Sequence, residues 1–246
     1  MKNESLISAV DVGKYENIGV SWNQKDNICK DSFVDKFIDK LNIFKKGVIA
    51  IEAPLFIPSD EFTNLARSRN GKRNNGNGDY KIDQVDNMSR PWSISASFSC
   101  AIQFLSIFFT KLPSGTQIFT DCEGFINSRS GVFVCEAFIS GGMPDLKGED
   151  RKCYIEKYYK EHKINRHNHD AECAVNLLEK LFSETIKLEK ILCPKYLNMP
   201  FLLSQVNNNL IFCGKPQCGI IAKSPKPCFL DKNIRDKQEI IEISFR

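Results

Sequence analysis

One run of this chain, "GVIAIEAPLF" at positions 47–56, is apolar almost without interruption, and the interruption is a carboxylate, Glu52. A short continuous run of β-branched and apolar residues that stops at a proline reads as a strand buried on both faces. Such strands belong to parallel sheets covered by helices on either side. The run therefore predicts an α/β domain, and it raises the question of what a carboxylate does inside it.

The surrounding segments agree with this frame. "LISAVDVG" (6–13) reads as a strand feeding a turn, and "NIGVSWN" (17–23) as its returning antiparallel partner. "DSFVDKFIDKLNIF" (31–44) opens on Asp31 as N-cap and repeats Phe33, Val34, Phe37, Ile38, Leu41 and Phe44 at helical spacing. A helix is expected over about 97–112, strand material in "TQIFTDCEGF" and "GVFVCEAFIS", and helices over 149–162 and 169–190. The order predicts a mixed sheet flanked by helices. Residues 1–192 form the domain, with 57–92 as a long inserted loop. Residues 193–246, where apolar fragments alternate with Pro and Lys, are expected to be a small β-rich C-terminal extension.

Composition narrows the setting. No run approaches the roughly 18 apolar residues of a membrane span. Ten cysteines without an apolar leader segment point to reduced thiols and a cytoplasmic location. A net charge of +4 does not by itself demand nucleic acid, so local charge decides. Within the 57–92 loop, Arg67, Arg69, Lys72 and Arg73 come close together without an acid among them, and Arg90 follows. Such a cluster is commonly a solvated loop. Beside an acidic metal site it would track a phosphate backbone, with Tyr80 and Trp92 placed to stack on bases.

Three carboxylates occupy positions that are expensive for an unpaired charge. Asp11 ends the first strand, Glu52 lies inside the apolar run, and Asp170 begins a helix whose i+4 and i+8 residues are Ala174 and Leu178. Each has a plain alternative: Asp11 as a turn cap, Glu52 as a paired acid, Asp170 as a helix-start acid favoured by the dipole. If the first strand and the 47–56 strand are adjacent and parallel, Asp11 and Glu52 emerge at one sheet end, where open α/β sheets carry their sites. Oxygen ligands of this kind suit Mg²⁺ or Mn²⁺.

All three histidines, His162, His167 and His169, crowd the segment before Asp170, and this first suggests zinc. Zinc favours three or four thiolate or imidazole ligands, which this segment does not supply alone. "CGKPQC" (213–218) with Cys193 and Cys228 is a second zinc candidate, lacking a tight second pair. His167, three residues before Asp170 on the same helical face, is expected to act as a ligand or water-orienting base. His162 and His169 are expected to be solvated. Glu136, inside "FVCEAF", is a candidate for a further ligand or for a pair with a lysine.

"AVDVG" followed by a returning strand, "IAIEAPL" and "HNHDAECAV" together resemble the RuvC-like branch of the RNase H-like superfamily. The finer pattern is similar to an uncharacterised group of predicted nucleases within it. Its members carry an acid in "IDaPLg"-like text, an Arg-containing loop, a Glu on the next strand and a final "DA" helix. Here these are "IEAPLF", the 57–92 loop, Glu136 and "DAECAV", over residues 5–190.

The resemblance implies an RNase H-like fold and a nuclease that hydrolyses phosphodiester bonds of DNA or RNA with two Mg²⁺ or Mn²⁺ ions. Asp11, Glu52 and Asp170 would be metal ligands, His167 would assist, and Glu136 would complete the shell. Glu at position 52 departs from the Asp usual in that group, though RuvC-type resolvases use Glu. The alternative is an RNase H-like module that binds nucleic acid or a protein partner without cutting. An actin-like phosphotransferase also opens with "DVG", but "SGGMPD" is a poor second phosphate loop.

Overall fold

The computed structural model describes residues 5–12, 18–53, 55–58, 90–138, 165–183, 196–207, 209–213 and 220–222, with Lys160. Strands β1 (Leu6–Val12) and β2 (Ile18–Trp22) form an antiparallel hairpin. A 3₁₀ turn at Lys30–Ser32 leads into helix α1 (Phe33–Phe44), and then come β3 (Lys46–Ile51) and the short β4 (Phe56–Pro58). Helix α2 (Arg90–Lys111), β5 (Gln117–Phe119), α3 (Cys122–Asn127) and β6 (Gly131–Phe138) follow. The remaining elements are α4 (Arg166–Ser183), β7 (Tyr196–Asn198), α5 (Met199–Val206), β8 (Ile211–Cys213) and β9 (Ile220–Ala222).

Among the described residues, seven strands make one mixed sheet in the order β2-β1-β3-β6-β5-β8, with β9 also on β6. In it the β1–β2 pair is antiparallel, and β1–β3, β3–β6, β6–β5, β5–β8 and β6–β9 are parallel. β5 pairs with β6 at Val132 and Phe133, and β9 takes the later stretch Glu136–Phe138 of the same strand. β4 and β7 form a separate antiparallel ladder.

The alternation of the strands assigns each residue to a layer. Leu6, Val10, Ile49, Ile51, Val132 and Val134 face one side, where Phe33 and Phe37 of α1 and Leu105, Phe108 and Phe109 of α2 cover them. Ile7, Ala9, Val48, Ala50, Phe133 and Cys135 face the other, against Phe125 of α3 and Ala171, Ala174, Val175 and Leu178 of α4. The α/β architecture expected from the 47–56 run is therefore present, and Val48 to Ile51 are all fully buried.

Several boundaries differ from expectation. Helix α2 starts at Arg90 rather than near 97. Asp31 lies in the 3₁₀ turn, and the N-cap of α1 is Ser32, which makes no side-chain cap. "TQIFTDCEGF" divides into a strand and the helix α3, because the Asp121 side chain accepts the Gly124 N–H and caps a helix start.

The described parts of the segment expected as a β-rich extension are woven into the fold. β8 and β9 extend the main sheet, β7 pairs with β4, and α5 lies against α2. The helix arises because Asn198 accepts the Phe201 N–H at 2.9 Å and Pro200 sits in the first turn, where no intrahelical donor is needed. "EIIEISF", the 59–89 part of the basic loop and nearly all of the helix expected over 149–162 lie outside the described residues. No helix among the described residues is long and apolar enough to cross a membrane.

Phe37 is fully buried, with its ring edge-on to Phe108 at 5.5 Å between centroids. Phe37→Ala is predicted to lower stability by about 3–5 kcal/mol, read as a fall in the urea unfolding midpoint at unchanged slope.

Candidate metal centre

β1 and β3 run parallel in a register that pairs Ala9 with Ala50 and Val10 with Ile51. Asp11 and Glu52 follow one step later, at the same end of the sheet. The pairing persists to that step, since the Glu52 N–H donates to the Val10 carbonyl at 2.9 Å. Alternation places Asp11 in the row of Ile7 and Ala9, and Glu52 in the row of Val48 and Ala50, both on the α4 side.

Helix α4 supplies the third acid. Asp170 lies in its second turn rather than at its start, because the helix begins at Arg166. Ala171, Ala174 and Leu178 fall on its buried stripe and hold it against the sheet. Asp11, Glu52 and Asp170 each present an oxygen, and these oxygens all lie within 4.8 Å of one another. Asp11 and Asp170 are buried, and Glu52 is half-buried.

That spacing has an energetic consequence. Two carboxylate charges this close repel by roughly 3 kcal/mol at an effective dielectric near 20. A divalent ion among them converts the repulsion into attraction. Oxygen donors around one ion at about 2.0–2.6 Å can be no more than about 4–5 Å apart, so the donor set and its spacing fit Mg²⁺, Mn²⁺ or Ca²⁺.

His167 joins the group through Asp11. Its Nδ1–H donates to Asp11 Oδ2 at 2.6 Å, from a side chain 28% exposed onto one 10% exposed. A histidine hydrogen-bonded to a carboxylate ligand orients that ligand.

Glu136 does not join the three. It pairs in register with Ile51 and alternates with Val132 and Val134, so it lies on the α1–α2 side of the sheet. There it is fully buried, and its Oε1 accepts the backbone N–H of Leu55.

His169, expected to be solvated, is buried, with Nε2 3.9 Å from Cys173 Sγ one turn later. Cys173 belongs to the apolar layer under α4, and the i to i+4 spacing draws His169 in with it. His162, Arg67, Arg69, Lys72, Arg73 and Tyr80 lie outside the described residues, as do the side chains of Arg90 and Trp92.

The six cysteines among the described residues are free thiols. Burial, with Asp121 beside it, pushes the Cys122 thiol up to about 12, and burial pushes Cys135 well above the ordinary thiol range. Both are inert at neutral pH. Of the sulfurs proposed for zinc, only Cys213 is described; Cys193, Cys218 and Cys228 lie outside the described residues.

Two residues beside the centre, Gly19 and Asn168, were not singled out in the sequence; Asn168 Oδ1 accepts the Val20 N–H at 3.3 Å. Gly19 faces Asp11 across the hairpin, and the first turn of α4 rests directly on its Cα. A glycine inside the strand-like run "NIGVSW" was the available signal, since such a residue often marks close backbone approach. No family model, curated protein or solved structure matches the chain.

Binding of an ion to the folded state alone raises stability, by about 2.7 kcal/mol at a hundredfold excess over Kd. Thermal unfolding is therefore predicted to shift upward with added Mn²⁺. Asp170→Asn should abolish that shift, read as the same unfolding temperature with and without Mn²⁺.

Proposed function

We infer that the chain is a divalent-metal-dependent nuclease with an RNase H-like fold, hydrolysing phosphodiester bonds of nucleic acid. The observation that carries this reading is the convergence of Asp11, Glu52 and Asp170, from two parallel strands and a later helix, within 4.8 Å. The order of these acids along the chain is that of the RuvC-like branch, and the β1–β2 hairpin leading to a strand parallel to β1 is compatible with it.

Asp11, Glu52 and Asp170 are the residues that would hold Mg²⁺ or Mn²⁺. A pair of such ions supplies an activated water and stabilises the departing oxygen in phosphodiester hydrolysis. The protein's own part is positional. β1 and β3 set the two strand carboxylates side by side, α4 brings the third, and His167 orients Asp11 through the hydrogen bond to its Oδ2. Arg67, Arg69, Lys72, Arg73 and Arg90 are proposed to meet the phosphate backbone of DNA or RNA.

One observation favours a second reading, an RNase H-like module that binds nucleic acid or a protein partner without cutting. The His167–Asp11 hydrogen bond partly balances Asp11 with no ion required.

The two readings part in a cleavage assay on single-stranded, duplex and branched DNA and RNA with Mg²⁺ or Mn²⁺. The nuclease reading predicts cleavage that EDTA stops and that Asp11→Asn lowers by at least about a thousandfold, on the scale of the several kcal/mol a catalytic metal supplies. Cleavage surviving Asp11→Asn in a folded protein would sink the assignment.

A further inference from the structure

Besides the apolar stripe that seats α4 on the sheet, the seam between β2 and the first turn of α4 bears on the distance between Asp170 and the strand that carries Asp11. Two features make this seam. A Cβ at Gly19 would stand 2.0 Å from the His167 carbonyl carbon, 2.1 Å from its oxygen and 2.5 Å from the Asn168 nitrogen. These are backbone atoms, which cannot rotate away. Asn168 Oδ1 also accepts the Val20 N–H at 3.3 Å. Val20 pairs with Val10, and β2 ends the sheet among the described residues, so Asn168 fastens the helix to the outer edge of β2.

We propose that Gly19 and Asn168 are positioning residues that set the ion-size selectivity of the carboxylate centre, favouring Mg²⁺ and Mn²⁺ over Ca²⁺. The inference rests on the metal-binding reading above. His167, Asn168 and Asp170 share the helical turns that lie on Gly19, so any retreat of the helix from β2 carries Asp170 away from Asp11 and pulls on the His167–Asp11 hydrogen bond. Ordinary contact at Gly19 would begin at 3.4 Å, so an added methyl moves the helix start outward by on the order of 1 Å. Mg²⁺ demands near-ideal geometry at about 2.0–2.1 Å, whereas Ca²⁺ accepts flexible ligands at about 2.3–2.6 Å. A widened centre therefore loses Mg²⁺ first.

The test is titration calorimetry of the full chain with Mg²⁺ and, separately, Ca²⁺, for wild type, Asn168→Ala, Asn168→Asp and Gly19→Ala. Circular dichroism checks that each variant is folded. Asn168→Ala is expected to cut the ratio of Mg²⁺ to Ca²⁺ affinity by about tenfold, the lower range for residues that orient metal ligands. Asn168→Asp keeps the acceptor for Val20 and is expected to restore the ratio, while its extra charge strengthens both ions alike. Gly19→Ala is expected to change the ratio in the same direction as Asn168→Ala. Should it fail to fold, Asn168→Ala decides alone.

A purely structural role would weaken both ions equally. An unchanged ratio in folded Asn168→Ala therefore overturns the inference while leaving the metal reading standing. A wild type that binds neither ion removes the metal reading and this inference with it.

Discussion

The parallel pairing of β1 with β3 is the constraint on which the rest depends. Its register, Ala9 to Ala50 and Val10 to Ile51, sets two acids side by side one residue further on. A slip of one residue in either strand would send one of them to the opposite face of the sheet. The slip is resisted by the unlike size of the two buried rows, the larger Val10 and Ile51 under α1 and α2 and the smaller Ala9 and Ala50 under α4, so an exchange would overpack one layer and leave voids in the other. The hydrophobic effect thus holds apart the two layers and, as a by-product, holds together two charges that repel.

Helix α4 completes the arrangement at a place where the sheet is prepared for it. Small residues, Ala171 and Ala174 on the helix and Gly19 on β2, let the backbones approach closely. The acids gather at the end of the α4 face, while the α1–α2 face is an aromatic layer with Phe33, Phe37, Phe108 and Phe109. Stability rests mainly on the apolar layers. At this spacing the three acids repel one another, and the His167–Asp11 hydrogen bond offsets part of that repulsion.

Much of this was legible in the chain. The hairpin, the buried strand with its glutamate, the amphipathic pattern of α1 and the Ala174–Leu178 stripe after Asp170 all follow from local periodicity. Other features were not. "GVFVCEAF" is apolar on both faces, so nothing in it says which way Glu136 points; its pairing with Ile51 decides that. His169 reads as polar and exposed until its partner one turn away, Cys173, is found in the buried layer. The fragments around 196–222 are too short to show their partners, and only their pairing with β4, β5 and β6 makes them part of the sheet.

The sequence by itself determined the kinds of element and which carboxylates stood in costly places, because period and burial cost act within a few residues along the chain. Tertiary structure alone decided which of those acids share a face and how far apart they stand. Asp11, Glu52 and Asp170 meet, and Glu136 does not, through strand register and the seating of α4 on Gly19. Both are contacts between segments remote in sequence, and no local pattern encodes their geometry.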